Sequence, residues 1–472
     1  MQYISTRGAA SALGFADALL AGLARDGGLY APASLPAWRP AAIRELRGLP
    51  YAKTAIRLMT AFASDAFDEA AFKAMTVDSY SGFRHAATAP IVQLDVNLFA
   101  MELFHGPTLA FKDFAMQWLG RAMNCVLTER KARATILGAT SGDTGAAAIE
   151  AFAGQDRTDI YILYPHGRVS NAQRRQMTTV RRPNVHALAV EGTFDDCQGI
   201  VKTLFGDLAF RDAMNLSGVN SINWARIQAQ IVYYFWAAVT LGAPERPVSF
   251  AVPTGNFGDV LAGYYAKRMG LPVERLIVAT NENDILARAL ASGRYEPRGV
   301  KATQSPSMDI QVSSNFERLL FEAVDRDAAA LRALMADFAR DGSFAIPPEA
   351  LGRIRADFDA ERVDETECAA EMRRVSRDSG VVIDPHSAVG VAAARRALAR
   401  NPATPLVALG TAHPAKFPEA VERATGVRPA LPPHLADLMR REEKIVVLPN
   451  SAAAVADYLR QNARAESASV SA

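Results

Sequence analysis

The chain has 472 residues; half of them are hydrophobic, 22% are charged, and the formal net charge at pH 7 is +2. At about 100–200 residues per domain, this length predicts two or three domains with a sizeable hydrophobic core. The small net charge and the lack of a basic block in the sequence argue against nucleic acid or a membrane surface as a partner.

The first part of the chain is predicted to be mainly helical. Residues 1–95 are rich in alanine and are interrupted at residues 35–40. Residues 9–24 imitate a signal segment, but Asp17 interrupts their apolar run, which favours an amphipathic surface helix. Residues 91–104 alternate and then run apolar, which predicts one or two strands.

From residue 134 onward, apolar strands alternate with glycine loops and helices. The predicted strands are ATILGA, DIYILYP, NVHALAV, PVSFAVP, RLIVATN, VVI and PLVALG. Fully apolar strands between helices indicate a parallel sheet covered on both faces, with ligands at the carboxyl ends of the strands. Residues 323–375 are predicted to be a helical insertion, and the polar tail 461–472 is predicted to be frayed.

The three cysteines, Cys125, Cys197 and Cys368, are far apart and follow no metal-binding spacing. We interpret them as free thiols in a reducing compartment, and a catalytic cysteine is the less favoured alternative. The apolar run 231–243 is too short for a bilayer, which needs about 20 residues. The sequence therefore predicts a soluble cytoplasmic protein without a metal site.

Two glycine loops each follow a strand and open a helix. In VPTGNFGDV, these main-chain N–H groups are expected to surround one oxyanion: Gly255, Asn256, Phe257, Gly258 and Asp259. The loop matches neither the ATP-binding nor the dinucleotide-binding pattern. In GATSGDTGAAA, Ser141, Thr144 and the amides around Gly142 and Gly145 suit a carboxylate, while Asp143 would repel one and should point away. The alternative is a ligand-free turn, with Ser141 or Asp143 as the helix N-cap.

One lysine, Lys112, stands in the otherwise apolar and aromatic stretch HGPTLAFKDF. A lysine in a low-dielectric pocket has a lowered pKa and becomes a nucleophile that forms Schiff bases. A ligand with both an aldehyde and a phosphate would suit this amine and the first glycine loop, and pyridoxal 5′-phosphate (PLP) has both groups. The alternative is a surface lysine paired with Asp113.

Several motifs together resemble the threonine synthase family, in its long type with an extra N-terminal region. They are YISTRG, DGGLY, ELFHGPTLAFKDF, ATSGDTGAAA, NSINWARI, PTGNFGDV, DPHSAVG and GTAHPAKFP, in the family's order from Tyr3 to about Pro418. The resemblance implies an α/β fold of the fold-type II PLP enzymes, like tryptophan synthase β. It implies two lobes with mostly parallel sheets, at residues 96–215 and 216–472, after an N-terminal helical region at residues 1–95.

The resemblance also implies roles for individual residues. Lys112 would hold PLP as a Schiff base, the loop Gly255–Asp259 would bind its phosphate, and Thr411 would face the pyridine nitrogen. The substrate-binding residues would be Ser141, Gly142 and Thr144 for a carboxylate, and Asn220, Ser221 and Arg226 for a phosphate. Many relatives have Asn in place of Asp143, and shorter ones have Asn in place of Asp259, which is expected here to cap a helix. The histidines of the motifs, His105, His386 and His413, are interpreted as structural.

The implied activity is that of a PLP-dependent carbon–oxygen lyase acting on a phosphate. It would convert O-phospho-L-homoserine and water to L-threonine and phosphate by β,γ-replacement, the last step of threonine biosynthesis. The alternatives are a threonine-synthase-like phospho-lyase, a dehydratase-type lyase, and a binding protein that keeps the fold without the reaction. The expected partner is the small-molecule substrate, and the expected state is a monomer or a homodimer.

Overall fold

The computed structural model describes residues 1–63 and 65–464. Its strands are β1 (Tyr3–Ser5), β2 (Tyr30–Pro32), β3 (Ile91–Asp95), β4 (Leu98–Glu102), β5 (Ala134–Ala139), β6 (Thr158–Pro165), β7 (Val185–Val190), β8 (Leu216–Ser217), β9 (Val248–Pro253), β10 (Val273–Thr280), β11 (Arg294–Tyr295), β12 (Phe344–Ala345), β13 (Phe358–Arg362), β14 (Leu406–Gly410) and β15 (Val446–Leu448).

The α-helices lie between these strands and cover their faces. They are α1 (Phe15–Ala21), α2 (Pro40–Arg44), α3 (Tyr51–Ala63), α4 (Glu69–Ser81), α5 (Lys112–Glu129), α6 (Asp143–Phe152), α7 (Asn171–Thr178), α8 (Phe194–Gly206), α9 (Leu208–Ala213), α10 (Trp224–Thr240), α11 (Gly258–Arg268), α12 (Ile285–Ser292), α13 (Phe316–Ala323), α14 (Ala328–Asp341), α15 (Pro348–Asp357), α16 (Glu365–Ser379), α17 (Pro385–Arg400), α18 (Pro418–Thr425) and α19 (Ala452–Asn462). Four 3₁₀ turns complete the regular structure: Pro306–Met308, Pro414–Lys416, Pro433–Leu435 and Leu438–Arg440.

A six-stranded sheet has the order β13-β10-β9-β14-β4-β3, and every pairing in it is parallel except that of β3 with β4. Successive side chains of a strand point to opposite faces. Phe250 and Val252 of β9 therefore pack in one core together with α11, while Ala251 packs in a second core with α17. Covering helices on both faces explain why the central strands are apolar throughout.

A five-stranded parallel sheet has the order β15-β7-β6-β5-β8. Ile160 and Ile162 of β6 pack with α5 and α6, while Tyr161 and Leu163 pack on the other face with α8 and α19. Helix α10 is buried over most of its length and contacts α3, α5 and α11. The helices α5 and α11 that begin near the site are thereby held against one shared helix.

The apolar runs predicted six of the strands correctly, and the N-terminal region is mainly helical as expected. The predicted strand VVI at residues 381–383 is wrong: these residues form no strand, and Ile383 packs in the core between α16 and α17. Strand β13 was missed inside the predicted helical insertion, because it pairs only with β10 and carries charged residues. The predicted helix over residues 9–24 shrinks to α1, which begins after Gly14 and ends at Gly22 with φ of 64°.

The C-terminal part of the chain returns to the five-stranded sheet through β15 and α19. The tail is helical to Asn462, so frayed structure is wrong there, and residues 465–472 lie outside the described residues. Strand β4, which the predicted boundaries assign to the smaller lobe, pairs with β14 in the six-stranded sheet. The domain boundaries themselves stay a prediction.

Among residues 1–63 and 65–464, no helix is both long enough and apolar enough to cross a membrane. The apolar run that begins at Ile231 is the buried second half of α10. Its apolar character is explained by packing on all sides.

Candidate active site

Lys112 is the first residue of α5, and only 8% of its surface is exposed. The loop before it is tied to the loop after β14. An isolated bridge joins Ala110 to Ala412, and the N–H of Phe111 donates to the carbonyl oxygen of Thr411 at 2.9 Å. The fold therefore places the lysine next to the residue expected to face the pyridine nitrogen, at the carboxyl end of the six-stranded sheet.

The ammonium of Lys112 is not paired with Asp113. The carboxylate of Asp113 accepts hydrogen bonds from the N–H and the hydroxyl of Thr108, at 2.8 and 2.7 Å. Burial lowers the pKa of Lys112, Asp143 opposes this effect, and Lys416 adds to it. The alternative of a surface lysine paired with Asp113 is therefore wrong, and Lys112 has the environment of a nucleophilic amine.

Asp143, the first residue of α6, lies between two lysines. Its Oδ1 is 2.6 Å from Nζ of Lys416, and its Oδ2 is 3.4 Å from Nζ of Lys112. The side-chain amide of Gln173 donates to the same carboxylate at 2.8 Å. Burial would raise the pKa of Asp143, but Lys416 and Lys112 hold it well below its usual range. The expectation that Asp143 points away is therefore wrong, because two ammonium groups compensate its charge.

Sequence reasoning missed both Lys416 and Gln173. Lys416 is completely buried, and its ammonium also donates to the carbonyl oxygen of Thr108 at 2.9 Å. It stands in the mostly apolar segment HPAKFP, much as Lys112 stands in its own segment. The criterion that singled out Lys112 also points to Lys416, whereas nothing in the sequence distinguishes Gln173 from an exposed helical glutamine.

The loop between β9 and α11 forms a cradle of main-chain N–H groups. Phe257 has a left-handed backbone with φ of 62°, and Asn315 closes the loop by donating twice to the carbonyl oxygen of Asn256. In the described part of the chain, five successive N–H groups donate to no protein acceptor, those of Gly255, Asn256, Phe257, Gly258 and Asp259. A β-carbon on Gly255 would lie 2.7 Å from the carbonyl oxygen of Ser307. Unpartnered donors at one helix N-terminus form an anion site.

The expectation that Asp259 caps α11 is wrong. This helix has no side-chain cap. The carboxylate of Asp259 instead accepts hydrogen bonds from the hydroxyls of Tyr233 and Tyr234 on α10, at 2.5 and 2.9 Å. Burial raises the pKa of Asp259 to about 6, against the effect of these two hydrogen bonds. The side chain of Asp259 therefore points to α10 rather than to the free N–H groups at the start of α11.

The loop between β5 and α6 is a second place with free donors. Gly142 is the N-cap of α6 with φ of 144°, and the first turn is capped by the side chain of Thr140, whose hydroxyl accepts the N–H of Gly145 at 2.8 Å. The alternative of Ser141 or Asp143 as an N-cap is therefore wrong. The hydroxyl of Thr140 accepts the N–H of Gly142 at 2.9 Å. Within the described ranges, the N–H groups without a protein acceptor here are those of Ser141, Asp143 and Thr144.

Arg226 is buried near the start of α10, with 3% of its surface exposed. One of its nitrogens donates to the carbonyl oxygen of Val219 at 3.2 Å, and its Nε has no partner. Burial lowers the pKa of Arg226 to about 10, and Tyr233 opposes this effect. No carboxylate of residues 1–63 and 65–464 forms an ion pair with it. A buried guanidinium in this state suits a ligand phosphate or carboxylate.

Asn220 and Ser221 lie between the two glycine loops. A β-carbon built on Gly138, at the end of β5, would lie 3.7 Å from Oδ1 of Asn220. One built on Gly258 would lie 3.7 Å from Cβ of Ser221, and Asn315 donates to the carbonyl oxygen of Ser221 at 3.1 Å. The segment before α10 therefore borders both loops, and the predicted site residues come together in one region.

The three histidines of the motifs each have a protein partner. A ring nitrogen of His386 lies 2.7 Å from the carboxylate of Asp384, and one of His105 lies 2.7 Å from Glu102. His413 accepts an N–H from the 3₁₀ turn that follows it, and burial lowers its pKa to about 4. These contacts fix the three rings within the fold, and their structural role stays a prediction.

The site fits pyridoxal 5′-phosphate. Lys112 offers an amine for the aldehyde, the cradle Gly255–Asp259 offers free N–H groups for the phosphate, and the hydroxyl of Thr411 has no hydrogen-bond partner in the described chain. Arg226 and the loop at Ser141 provide further anion positions for a substrate. No group of His, Cys, Asp or Glu in the described ranges has the arrangement of a metal site.

Comparison with known proteins gives three family matches along the chain. Residues 2–80 match the threonine synthase N terminus, residues 86–347 the pyridoxal-phosphate dependent enzymes, and residues 387–459 the threonine synthase C-terminal region. A curated threonine synthase of Pseudomonas aeruginosa is 53% identical over 463 residues, which cover 98% of each chain.

Solved structures give the same result. The crystal structure of a PLP-bound threonine synthase from Brucella melitensis is 58% identical with a TM-score of 0.95, and the match covers 98% of this chain and 100% of that one. The threonine synthase of yeast is 39% identical with a TM-score of 0.91 and 98% coverage of both chains.

Proposed function

Since this chain belongs to the threonine synthase family, we propose that the site at Lys112 converts O-phospho-L-homoserine and water to L-threonine and phosphate. The enzyme is a PLP-dependent lyase that performs a β,γ-replacement, the last step of threonine biosynthesis. The observation that carries the assignment of the site is Arg226. Among residues 1–63 and 65–464 this buried guanidinium has no carboxylate counter-ion, and its charge helps to lower the pKa of Lys112.

Three elements of the chain would hold the cofactor. Lys112 would bond to its aldehyde carbon, the N–H groups of Gly255–Asp259 would bind its phosphate, and the hydroxyl of Thr411 would face its ring nitrogen. When bound, pyridoxal 5′-phosphate supplies an electron sink for the electrons released at substrate carbon atoms. The hydrogen bond from the N–H of Phe111 to the carbonyl oxygen of Thr411 supports this arrangement, since it fixes the amine of Lys112 and the hydroxyl of Thr411 relative to each other.

Two anion anchors would hold the substrate. Its carboxylate meets the loop of Ser141, Gly142 and Thr144. Its phosphate meets the residues Asn220, Ser221 and Arg226. Held at both ends, the substrate presents its carbon atoms to Lys112, and the guanidinium stabilises the charge on the phosphate that leaves Cγ.

The amine of Lys112 is the proposed base. It takes a proton from Cα, gives this proton up, and then takes a second proton from Cβ. Each removal requires the unprotonated form, and burial favours that form by lowering the pKa of Lys112. After phosphate leaves Cγ, a proton returns to Cγ, the hydroxyl of water adds at Cβ, and a proton returns to Cα. Bulk water must stay out until this step, and burial of Lys112 and Arg226 serves this exclusion.

The reaction is tested by mixing the purified PLP-loaded enzyme with O-phospho-L-homoserine. The proposal expects L-threonine and phosphate in equal amounts. Production of 2-oxobutanoate in place of threonine would move the chain to a phospho-lyase or dehydratase. A protein that neither takes up PLP nor consumes the substrate would be a binding protein with the same fold.

We also propose that the enzyme works in the cytoplasm, as a monomer or a homodimer. Free thiols support a reducing compartment: Cys125, Cys197 and Cys368 are all free, and the last two are buried. Cell fractionation tests the compartment, and light scattering of the purified enzyme tests the oligomeric state.

A further inference from the structure

Lys416 is a second buried lysine next to the proposed catalytic amine. Its side chain is 0% exposed, and its ammonium has two acceptors, Oδ1 of Asp143 at 2.6 Å and the carbonyl oxygen of Thr108 at 2.9 Å. A buried ammonium is costly unless it is paired. The pairing with Asp143 therefore compensates both charges, and it does so on the carboxylate that also contacts Lys112.

The two lysines share Asp143 unequally. Nζ of Lys416 lies 2.6 Å from one carboxylate oxygen, whereas Nζ of Lys112 lies 3.4 Å from the other. The amide of Gln173 binds the carboxylate as well, at 2.8 Å. Asp143 is thus mainly the counter-ion of Lys416, and Lys112 keeps only a long contact that it can give up.

Other charged groups face this cluster from every neighbouring element. They are Asp113 of α5, His386 of α17, Arg226 of α10 and Asp259 of α11. Of these, Asp113 is bound to Thr108, Asp259 to two tyrosines, and His386 to Asp384. Among these charges, Asp143 and then Lys416 act most strongly on the pKa of Lys112, and they act in opposite directions.

We propose that Lys416 is a positioning residue, which holds Asp143 beside Lys112 and offsets the charge of that carboxylate, so that the Lys112 nitrogen is not locked in its protonated form. This inference rests on the proposed role of Lys112. Without Lys416, the carboxylate would act on Lys112 alone and keep the nitrogen protonated. Without Asp143, two cations would face each other, and the Lys112 nitrogen would lose its proton at a lower pH.

The two single substitutions therefore have opposite expected effects. The readouts are the pH midpoint of the visible absorption of the PLP-loaded enzyme and the acidic limb of kcat/KM. We expect Lys416→Met to raise both by about one pH unit and Asp143→Asn to lower both by about one unit. The double variant should return to within about half a unit of the parent. Lys416→Arg, which keeps the cation, should stay near the parent.

Lys267→Met is the matched control. Nζ of Lys267 also pairs with a carboxylate, Asp357 at 2.7 Å, and with a carbonyl oxygen, that of Glu274 at 3.1 Å, but it lies outside the site. Its pH midpoints should equal those of the parent. If Asp143→Asn does not fold, Lys416→Met and the double variant still test the direction in which the pH midpoints move.

Midpoints that do not move, or that move in the same direction in both single variants, would overturn the role of Lys416. Borohydride reduction of the parent enzyme separates this failure from a failure of the proposed function. A label on Lys112 with unmoved midpoints refutes only the inference about Lys416, whereas a label elsewhere refutes the role of Lys112 itself.

Discussion

The N–H of Phe111 donates to the carbonyl oxygen of Thr411 at 2.9 Å. Residues 300 positions apart in the chain are thereby fixed side by side, and Lys112 follows one of them directly. The N–H of Thr411 is fixed in turn by the hydroxyl of Ser387 at 3.2 Å. In the part of the chain that the structure describes, the hydroxyl of Thr411 has no partner and is free for a ligand.

Thr411→Val removes this hydroxyl and keeps the shape of the side chain. We expect PLP to bind about fivefold more weakly, since one hydrogen bond contributes about 1 kcal/mol. The measurement is a titration of PLP followed by its visible absorption. Thr425→Val is the control and should bind PLP like the parent, because the Thr425 hydroxyl donates to the carbonyl oxygen of Val421 and accepts the N–H of Val427 at the end of α18. Equal affinity of both variants would remove Thr411 from the cofactor site.

The cradle at Gly255 has no room for a β-carbon, which would lie 2.7 Å from the carbonyl oxygen of Ser307. Gly255→Ala should displace the loop and its free N–H groups, and weaken PLP binding at least about tenfold. Gly199→Ala in α8 is the matched change, because a β-carbon there meets no atom within 4 Å. PLP affinity measured by absorption should be unchanged in Gly199→Ala. Full affinity of Gly255→Ala would contradict the cradle.

Arg226→Gln should separate activity from stability. Loss of the guanidinium should lower kcat/KM for O-phospho-L-homoserine by a factor of about 10²–10³. Removal of a buried charge without a counter-ion should leave the Tm unchanged or raise it. Steady-state kinetics and thermal unfolding of the same preparation give both values.

Arg318 provides the comparison for Arg226. It is also fully buried, but it donates to the carbonyl oxygens of Tyr30 and Ile222 and to Asn315. Arg318→Gln should therefore lower the Tm, because buried acceptors lose their donor. An equal loss of Tm in both variants would show that Arg226 serves the fold rather than a ligand.

Asp259→Asn tests the buried carboxyl below the cradle. Burial raises the pKa of Asp259 to about 6, above the value of about 3.9 for an ordinary aspartate. Because this pKa is raised, the folded protein holds the Asp259 proton more tightly than the unfolded chain does. The resulting contribution to the free energy of unfolding is fully present below pH 4 and is lost as the pH rises through 6. Relative to the parent, Asp259→Asn should gain about 1–3 kcal/mol of unfolding free energy between pH 4 and pH 7. Urea unfolding measures this difference.

The exposed Asp457 gives the control for this pH series. It pairs with Arg460 on the surface of α19. The difference between Asp457→Asn and the parent should change by less than about 0.5 kcal/mol over the same range. A flat profile for Asp259→Asn as well would mean that Asp259 stays ionised inside the fold.

The sequence predicts the strands well where they are buried on both faces. ATILGA corresponds to β5 residue for residue, because a covered parallel strand needs apolar side chains at every position. The edge strand β13 escapes this rule, since it has one neighbour and carries charges. The prediction of a strand at VVI fails because these side chains are apolar for another reason. They pack between helices, and their backbone has no strand partner.

The glycine loops and the unusual lysine of the site are predictable from the sequence. The directions in which its charged side chains point are less predictable. The direction of the side chains of Asp143 and Asp259 depends on Lys416, Tyr233 and Tyr234, which are far away in the chain. Local reasoning treated both carboxylates as isolated and therefore expected one to turn away and one to cap a helix. Tertiary partners decided both cases.

The account depends on Lys112 as the amine that bonds to PLP, and reduction with borohydride followed by peptide mapping tests this directly. Reduction should fix the cofactor on the peptide that contains Lys112, with no label on Lys416, which is buried next to the same carboxylate. A label on Lys416, on any other lysine or on none would contradict the account.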